Sequence, residues 1–108
     1  MSITTQNQQR AKFVFDNIEV LKKSNYAEKL ASYILTNGLL PTLVFIKSKD
    51  KETYQIIEKY FTGTKQIFGK NRDIIQQLVD ADSTKLRFAT FEALELANWI
   101  RRLVKSEE

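Results

Sequence analysis

The sequence predicts an all-α protein, a compact bundle of about five to six helices forming a single helical domain over residues 1–108. Three observations lead there. Glycine and proline are scarce, with three Gly and one Pro, whereas a sheet protein of this size needs many tight turns. Apolar residues recur at spacings of three and four along most of the chain, which is the helical period. The one β-branched and aromatic stretch, residues 43–46, has no second stretch elsewhere to pair with as a strand.

The first helix is expected over residues 6–21. Ala11, Val14, Ile18 and Leu21 form its stripe, and Phe13 and Phe15 widen it. Thr4 or Thr5 can cap its start, because a hydroxyl accepts from an otherwise unpaired helical N–H. Lys22, Lys23 and Ser24 end it, the two lysines suiting the negative C-terminal end of the helix dipole. Asn25 and Glu28 have the spacing of a capping box for a second helix carrying Tyr26, Ala27, Leu30, Ala31 and Ile34. Asn37-Gly38 ends that helix, with Gly38 free to take a positive φ.

Pro41 fits the first turn of a third helix, residues 39–49, where its missing N–H costs nothing. Asp50 caps a fourth, residues 51–61, with Tyr54, Ile57 and Phe61 on one face. Residues 62–70 hold two of the three glycines and form the main loop. A fifth helix opens at Lys70 or Asn71 and turns Ile74, Ile75, Leu78 and Val79 inward. Asp82-Ser83 caps the last and longest helix, residues 83–105. Its stripe is Leu86, Ala89 or Thr90, Ala93, Ala97, Ile100 and Val104, broadened by Leu94, Leu96, Trp99 and Leu103.

Composition then limits the chemistry. Apolar residues make up 43% of the chain, with seven Phe, four Tyr and one Trp, enough for a packed core. The chain has no Cys, which excludes disulfides, thiolate metal sites and a Cys nucleophile and suits a reducing, cytoplasmic setting. It has no His, the commonest general base and metal ligand. Ser24, Ser32, Ser48 and Ser83 therefore lack a triad partner. Asp80 and Asp82 are better explained as helix-end residues than as a Mg²⁺ site. Gly63-Thr64-Lys65 matches only the tail of a phosphate-binding loop, since the first glycine is absent and no helix start follows. The start of the chain is polar and no apolar run approaches about 18 residues, so neither a signal peptide nor a membrane span is expected. No catalytic residue, metal or cofactor is expected; the chain should work by binding.

Net charge is +4, from 17 basic and 13 acidic residues, which permits a polyanionic partner without requiring one. The cations fall in clusters. Arg101, Arg102 and Lys105 sit beside Trp99, and Arg101 and Lys105 share a face as i,i+4 neighbours. Lys85 and Arg87 lie nearer the start of the same helix; Lys47, Lys49 and Lys51 flank a helix junction. Lys65, Lys70 and Arg72 surround the glycine-containing loop, while Arg10 and Lys12 lie on the first helix. The ordinary reading of any one cluster is solvated surface; together they outline a phosphate-contacting surface. The candidate phosphate contacts are Arg101, Arg102 and Lys105, then Lys47, Lys49, Lys85 and Arg87, then Arg10 and Lys12. Arg87 can alternatively pair with Glu92 or Asp82. Glu92 and Glu95, three apart on one helix, read as a solvated or subunit-facing pair. Trp99, next to the core stripe, reads as a core or subunit-interface residue rather than a base-stacking one.

Three segments together carry a family resemblance: Gln9-Arg10-Ala11; Thr36-Asn37-Gly38-Leu39-Leu40-Pro41-Thr42-Leu43-Val44-Phe45; and Leu86-Arg87-Phe88-Ala89-Thr90-Phe91-Glu92-Ala93-Leu94 followed by Asn98-Trp99-Ile100-Arg101-Arg102. In order and spacing the chain resembles the small subunit of the type III-B CRISPR effector, the Cmr complex. The resemblance implies a non-catalytic helical subunit that stacks head to tail in several copies beside a backbone filament. Its implied partners are the backbone and large subunits, further copies of itself, and guide and target RNA. Head-to-tail stacking needs unlike faces on each copy; Asp16, Glu19, Glu92 and Glu95 are the candidate acids for it.

Two other readings stand beside this one. A helical protein–protein adaptor or structural spacer without RNA contact suits the modest net charge. A DNA-binding helix-turn-helix is suggested by the Asn37-Gly38 turn, but the segment after it is apolar, whereas a recognition helix exposes polar and basic residues.

Overall fold

A computed structural model describes residues 5–107. Thr4, the alternative first cap, and the rest of the polar start lie outside the described residues. Seven α-helices follow in order, and no strand occurs among the described residues: α1 (Gln6–Asp16), α2 (Ile18–Leu21), α3 (Leu30–Asn37), α4 (Leu39–Lys49), α5 (Lys51–Lys59), α6 (Ile74–Asp80) and α7 (Ser83–Ser106). The all-α fold is as the sequence predicts. Its extents are 39 × 37 × 24 Å. The short dimension corresponds to about two helix layers at roughly 10 Å each.

The caps explain most boundaries. Thr5 accepts from the Gln8 N–H at 3.0 Å and Gln8 answers the Thr5 N–H at 2.8 Å, a reciprocal capping box. Asn17 then divides the expected first helix in two. Its side chain donates to the Phe13 carbonyl four residues back, at 2.8 Å, and its backbone leaves helical geometry at φ −119° and ψ 12°. Such side-chain bonding competes with the helical ladder. Ser24, rather than Asn25, starts the next element: its hydroxyl accepts from the N–H groups of Tyr26 and Ala27, both at 3.0 Å, and donates to Asp50. A single 3₁₀ turn, Ala27–Lys29, leads into α3.

Gly38 separates α3 from α4 at φ 90° and ψ 165°, a region essentially confined to glycine. Asp50 caps α5 through the Thr53 N–H at 3.1 Å. The helix widens into a π-turn, Tyr60–Thr64, closed by the Lys65 N–H on the Tyr60 carbonyl at 2.9 Å. Gln66 follows at φ 52°. The loop beyond is fixed by buried Phe68 and by Gln77, whose side chain bonds both backbone groups of Gly69 and the Arg72 carbonyl. Asp73, not Asn71, caps α6, through the Ile75 N–H at 2.9 Å. Val79, expected inward, is 64% exposed, because α6 is only seven residues long and buries Ile74 and Leu78 alone.

The buried apolar residues form one continuous cluster. α7 is its spine, contributing Ala89, Ala93, Leu96, Ala97, Ile100 and Val104. The small residues let α1 and α3 approach closely, while Tyr60 and Phe61 supply the largest fully buried side chains. Phe13 meets Tyr60 edge-on with ring centroids 5.1 Å apart.

Candidate nucleic-acid interface

α7 positions most of the candidate cations. Its apolar stripe faces the core, so residues off the stripe are carried outward. Arg101, Arg102 and Lys105 are exposed, and none forms an ion pair with a described residue. The Arg102 guanidinium lies over the Trp99 ring, 5.5 Å from its centroid. Trp99 is partly buried, and its indole N–H donates to Asn7 Oδ1 at 3.2 Å. The same oxygen accepts from Arg10 Nη1 at 3.0 Å. A continuous run of contacts thus links the surface cation Arg102 to a buried ion pair.

That pair corrects two expectations. Arg10 is 5% exposed and Glu92 3%, and they bind each other: Nη2 to Oε1 at 2.8 Å and Nε to Oε2 at 3.4 Å. The Tyr60 hydroxyl donates to Glu92 Oε2 at 3.0 Å. Gln6 accepts from Arg10 Nη2 at 3.2 Å, and Glu95 lies 3.8 Å from Nη1. Arg10 is therefore not presented to RNA and Glu92 is not presented to a neighbouring subunit. Two buried charges survive here because each is paired and further hydrogen-bonded. Burial disfavours the charged guanidinium, but the hydrogen bond and attraction of Glu92 outweigh it and hold Arg10 above its usual value. Burial, then the charge of Glu92, pushes the Tyr60 phenol up. The sequence did carry a signal for this pair. Arg10 continues the stripe of Val14, Ile18 and Leu21, and Glu92 lies one turn from both Ala89 and Leu96; charges of opposite sign within two apolar stripes require a partner.

The other cations differ in freedom. Lys47 is tied to Asp73, with its ammonium 5.6 Å from the Tyr54 ring centroid, which makes it part of the α4–α6 packing. The Tyr54 hydroxyl donates to the same carboxylate. Burial works against the Asp73 charge, but Lys47, Tyr54 and the Ile75 N–H hold its carboxyl below the ordinary value. Burial followed by the Asp73 charge raises the Tyr54 phenol. Lys49 is exposed. Lys12 pairs with Asp16 at 3.5 Å on open surface, a contact worth little. Lys85 sits over the Phe68 ring at 5.1 Å. Arg87 is exposed and pairs with neither Glu92 nor Asp82. Glu95 is partly exposed beside Trp99's stretch of α7. Asp82 is occupied as the cap of α7, accepting from the Lys85 N–H at 2.8 Å.

No group of three or more His, Cys, Asp or Glu side chains is placed to hold a metal among the described residues. No helix among them is long and apolar enough to cross a membrane. The surface clefts with charged linings carry both signs. One, of about 510 Å³, is lined by Glu58, Lys59, Thr62, Lys70, Arg72 and Asp73, and its Arg72 already pairs with Asp80 at 2.9 Å.

The chain is thus helical among the described residues, with a cation-bearing outer face on one long helix. The family model for CRISPR-associated protein (Cas_Cmr5) matches residues 6–107, nearly the whole sequence. The chain belongs to that family, the small subunit of the type III-B Cmr complex, and is thereby a subunit of a multi-subunit CRISPR-associated assembly. No curated protein matches it.

Proposed function

We propose that this chain is a non-catalytic subunit that stacks in several copies along the backbone filament of the Cmr effector and steadies guide and target RNA through basic side chains, in cytoplasmic antiviral defence. The observation that carries the RNA contact is the trio Arg101, Arg102 and Lys105: exposed, unpaired among the described residues, and held on a rigid helix. Lys49, Lys85, Arg87 and Lys12 are further exposed cations, whereas Lys47 and Arg10 are engaged within the fold. In RNA-guided systems base pairing reads sequence while protein reads backbone and shape, so point charges suffice.

Repetition makes weak contacts count. Single-stranded binding loses affinity with salt at a slope of about −0.7 per phosphate neutralised, so three copies meeting two phosphates each give a slope of about −4. The test is target-RNA affinity of the reconstituted, guide-loaded complex across a salt series. Arg101→Glu with Lys105→Glu should weaken binding and flatten the slope while the subunit still assembles. Unchanged affinity and slope would leave the chain a spacer. Exposed Leu35, Val44 and Phe45 on α3 and α4 favour that second reading as far as subunit contact goes, since they offer an apolar surface for a protein neighbour.

A further inference from the structure

We propose that Phe88 and Phe91, with Arg87 beside them and Lys85 one turn back, form a base-stacking platform for unpaired RNA bases at the N-terminal end of α7. The proposal rests on the RNA-contact reading above and adds a site to it. Phe88 is 53% exposed and Phe91 48%. They lie three residues apart, so their rings leave the helix on one side, and Arg87 is the i,i+4 neighbour of Phe91. A half-exposed phenylalanine is unremarkable singly, but two on one helix face in a chain this small ask for a partner.

Charge selects RNA over protein. From Ser83 to Phe91 there are two cations and no acid. The flanking acids are both occupied: Asp82 caps the helix and Glu92 is buried against Arg10. The rings therefore lie on a net-positive stretch of α7, with Arg87 in no ion pair among the described residues. Cores of protein interfaces are depleted of Lys, whereas single-strand-binding surfaces combine cations with aromatic faces on which bases of any sequence stack. The antiparallel packing of α1 on α7, with Asn7 at Trp99 and Arg10 at Glu92, carries exposed Phe15 and the Lys12–Asp16 ion pair towards this same end. Trp99 is less suited to stacking, because Arg102 covers one face of its ring and its N–H is spent on Asn7.

The experiment uses the guide-loaded complex reconstituted with variant subunits, measuring target-RNA affinity against salt and subunit copy number by native mass spectrometry. Phe88→Ala with Phe91→Ala should weaken RNA binding at least about fivefold, the lower bound for losing one stacked base. Salt slope and copy number should stay unchanged. Phe88→Tyr with Phe91→Tyr, which keeps both rings, should bind within about twofold of the parent. Phe88→Trp supplies a second reading that does not depend on the alanine pair folding: its added emission should be quenched on saturation with target RNA. Loss of copies in the alanine pair would make the patch a protein contact and overturn the proposal. Unaltered RNA affinity, or unquenched emission, would overturn it as well. If charge reversal at Arg101 and Lys105 still lowers affinity in that case, the RNA reading stands and only the platform falls; if it does not, both fall.

Discussion

Replacing Arg10 by alanine should lower the melting temperature by about 12–20 °C. Burial sets the magnitude: the Arg10 and Glu92 side chains are 6% and 3% exposed, and the pair bridges α1 to α7 across 82 residues of sequence. Removing Arg10 leaves the Glu92 carboxylate with the Tyr60 hydroxyl as its described donor and no cation in direct contact. Breaking a buried pair by removing one partner costs about 3–5 kcal/mol. For a domain of this size each kcal/mol moves the midpoint by roughly 4 °C, which gives the quoted range. The assay is thermal unfolding followed by circular dichroism, with Glu92→Gln and Tyr60→Phe as companions. A triple variant, Arg10→Met with Glu92→Leu and Tyr60→Phe, should recover most of the loss, because an apolar replacement of similar volume no longer strands a charge. A shift below about 3 °C for Arg10→Ala, or a triple variant no better than the single, would refute the assignment of this network as a linchpin between α1 and α7.

Further outcomes follow from the same structure. Gly38→Ala should cost about 1–3 kcal/mol; the added Cβ meets only Pro41 Cδ at 3.8 Å, so the penalty is backbone strain at φ 90° and shows in chemical denaturation as a lower midpoint at constant m-value. Ser24→Ala removes an acceptor for two N–H groups and the donor to Asp50, and should cost about 1–2 kcal/mol by the same measurement. Acid should destabilise the fold through Asp50 and Asp73. Burial raises both carboxyls, but Ser24 and Thr53 hold Asp50 below the ordinary carboxylate value, and Lys47 and Tyr54 do the same for Asp73. Groups with lowered folded values stabilise above their unfolded value and lose that contribution as pH falls through the folded one. A melting-temperature profile from pH 6 to about pH 2 should therefore fall more gently for Asp50→Asn and Asp73→Asn than for the parent. Arg101→Glu with Lys105→Glu should leave stability within about 0.5 kcal/mol, since both side chains are exposed and unpaired among the described residues.

Much of the fold is legible in one dimension because local chemistry decides it. Pro41 and Gly38 bracket the start of α4, Asp50 and Asp82 announce α5 and α7, and the observed caps use those groups. Other features leave no local mark. Asn17 has no proline or glycine beside it to warn of a break; its side chain competes with the backbone only because the chain turns there to pack Ile18 and Leu21 inward. The π-turn after Lys59 leaves no trace in periodicity, because it inserts one residue per turn while Tyr60 and Phe61 stay buried. In the candidate site, exposed cations at the end of α7 follow from lying off the apolar stripe. Arg10 and Glu92 each look like an ordinary surface charge in sequence until the helix face of one is set against that of the other. Phe88 and Phe91 are the converse: apolar residues in a helix suggest core, and nothing local says that α7 has more apolar surface than its neighbours cover.

The central claim, that the outer face of α7 meets RNA inside the effector, is tested most directly by ultraviolet cross-linking of the target-bound, guide-loaded complex followed by peptide mass spectrometry. RNA-bearing peptides are expected from α7, spanning Lys85 to Phe91 and Arg101 to Lys105, and none at the buried Arg10. A complex that contains this chain in full copy number but yields cross-links only on other subunits would contradict it.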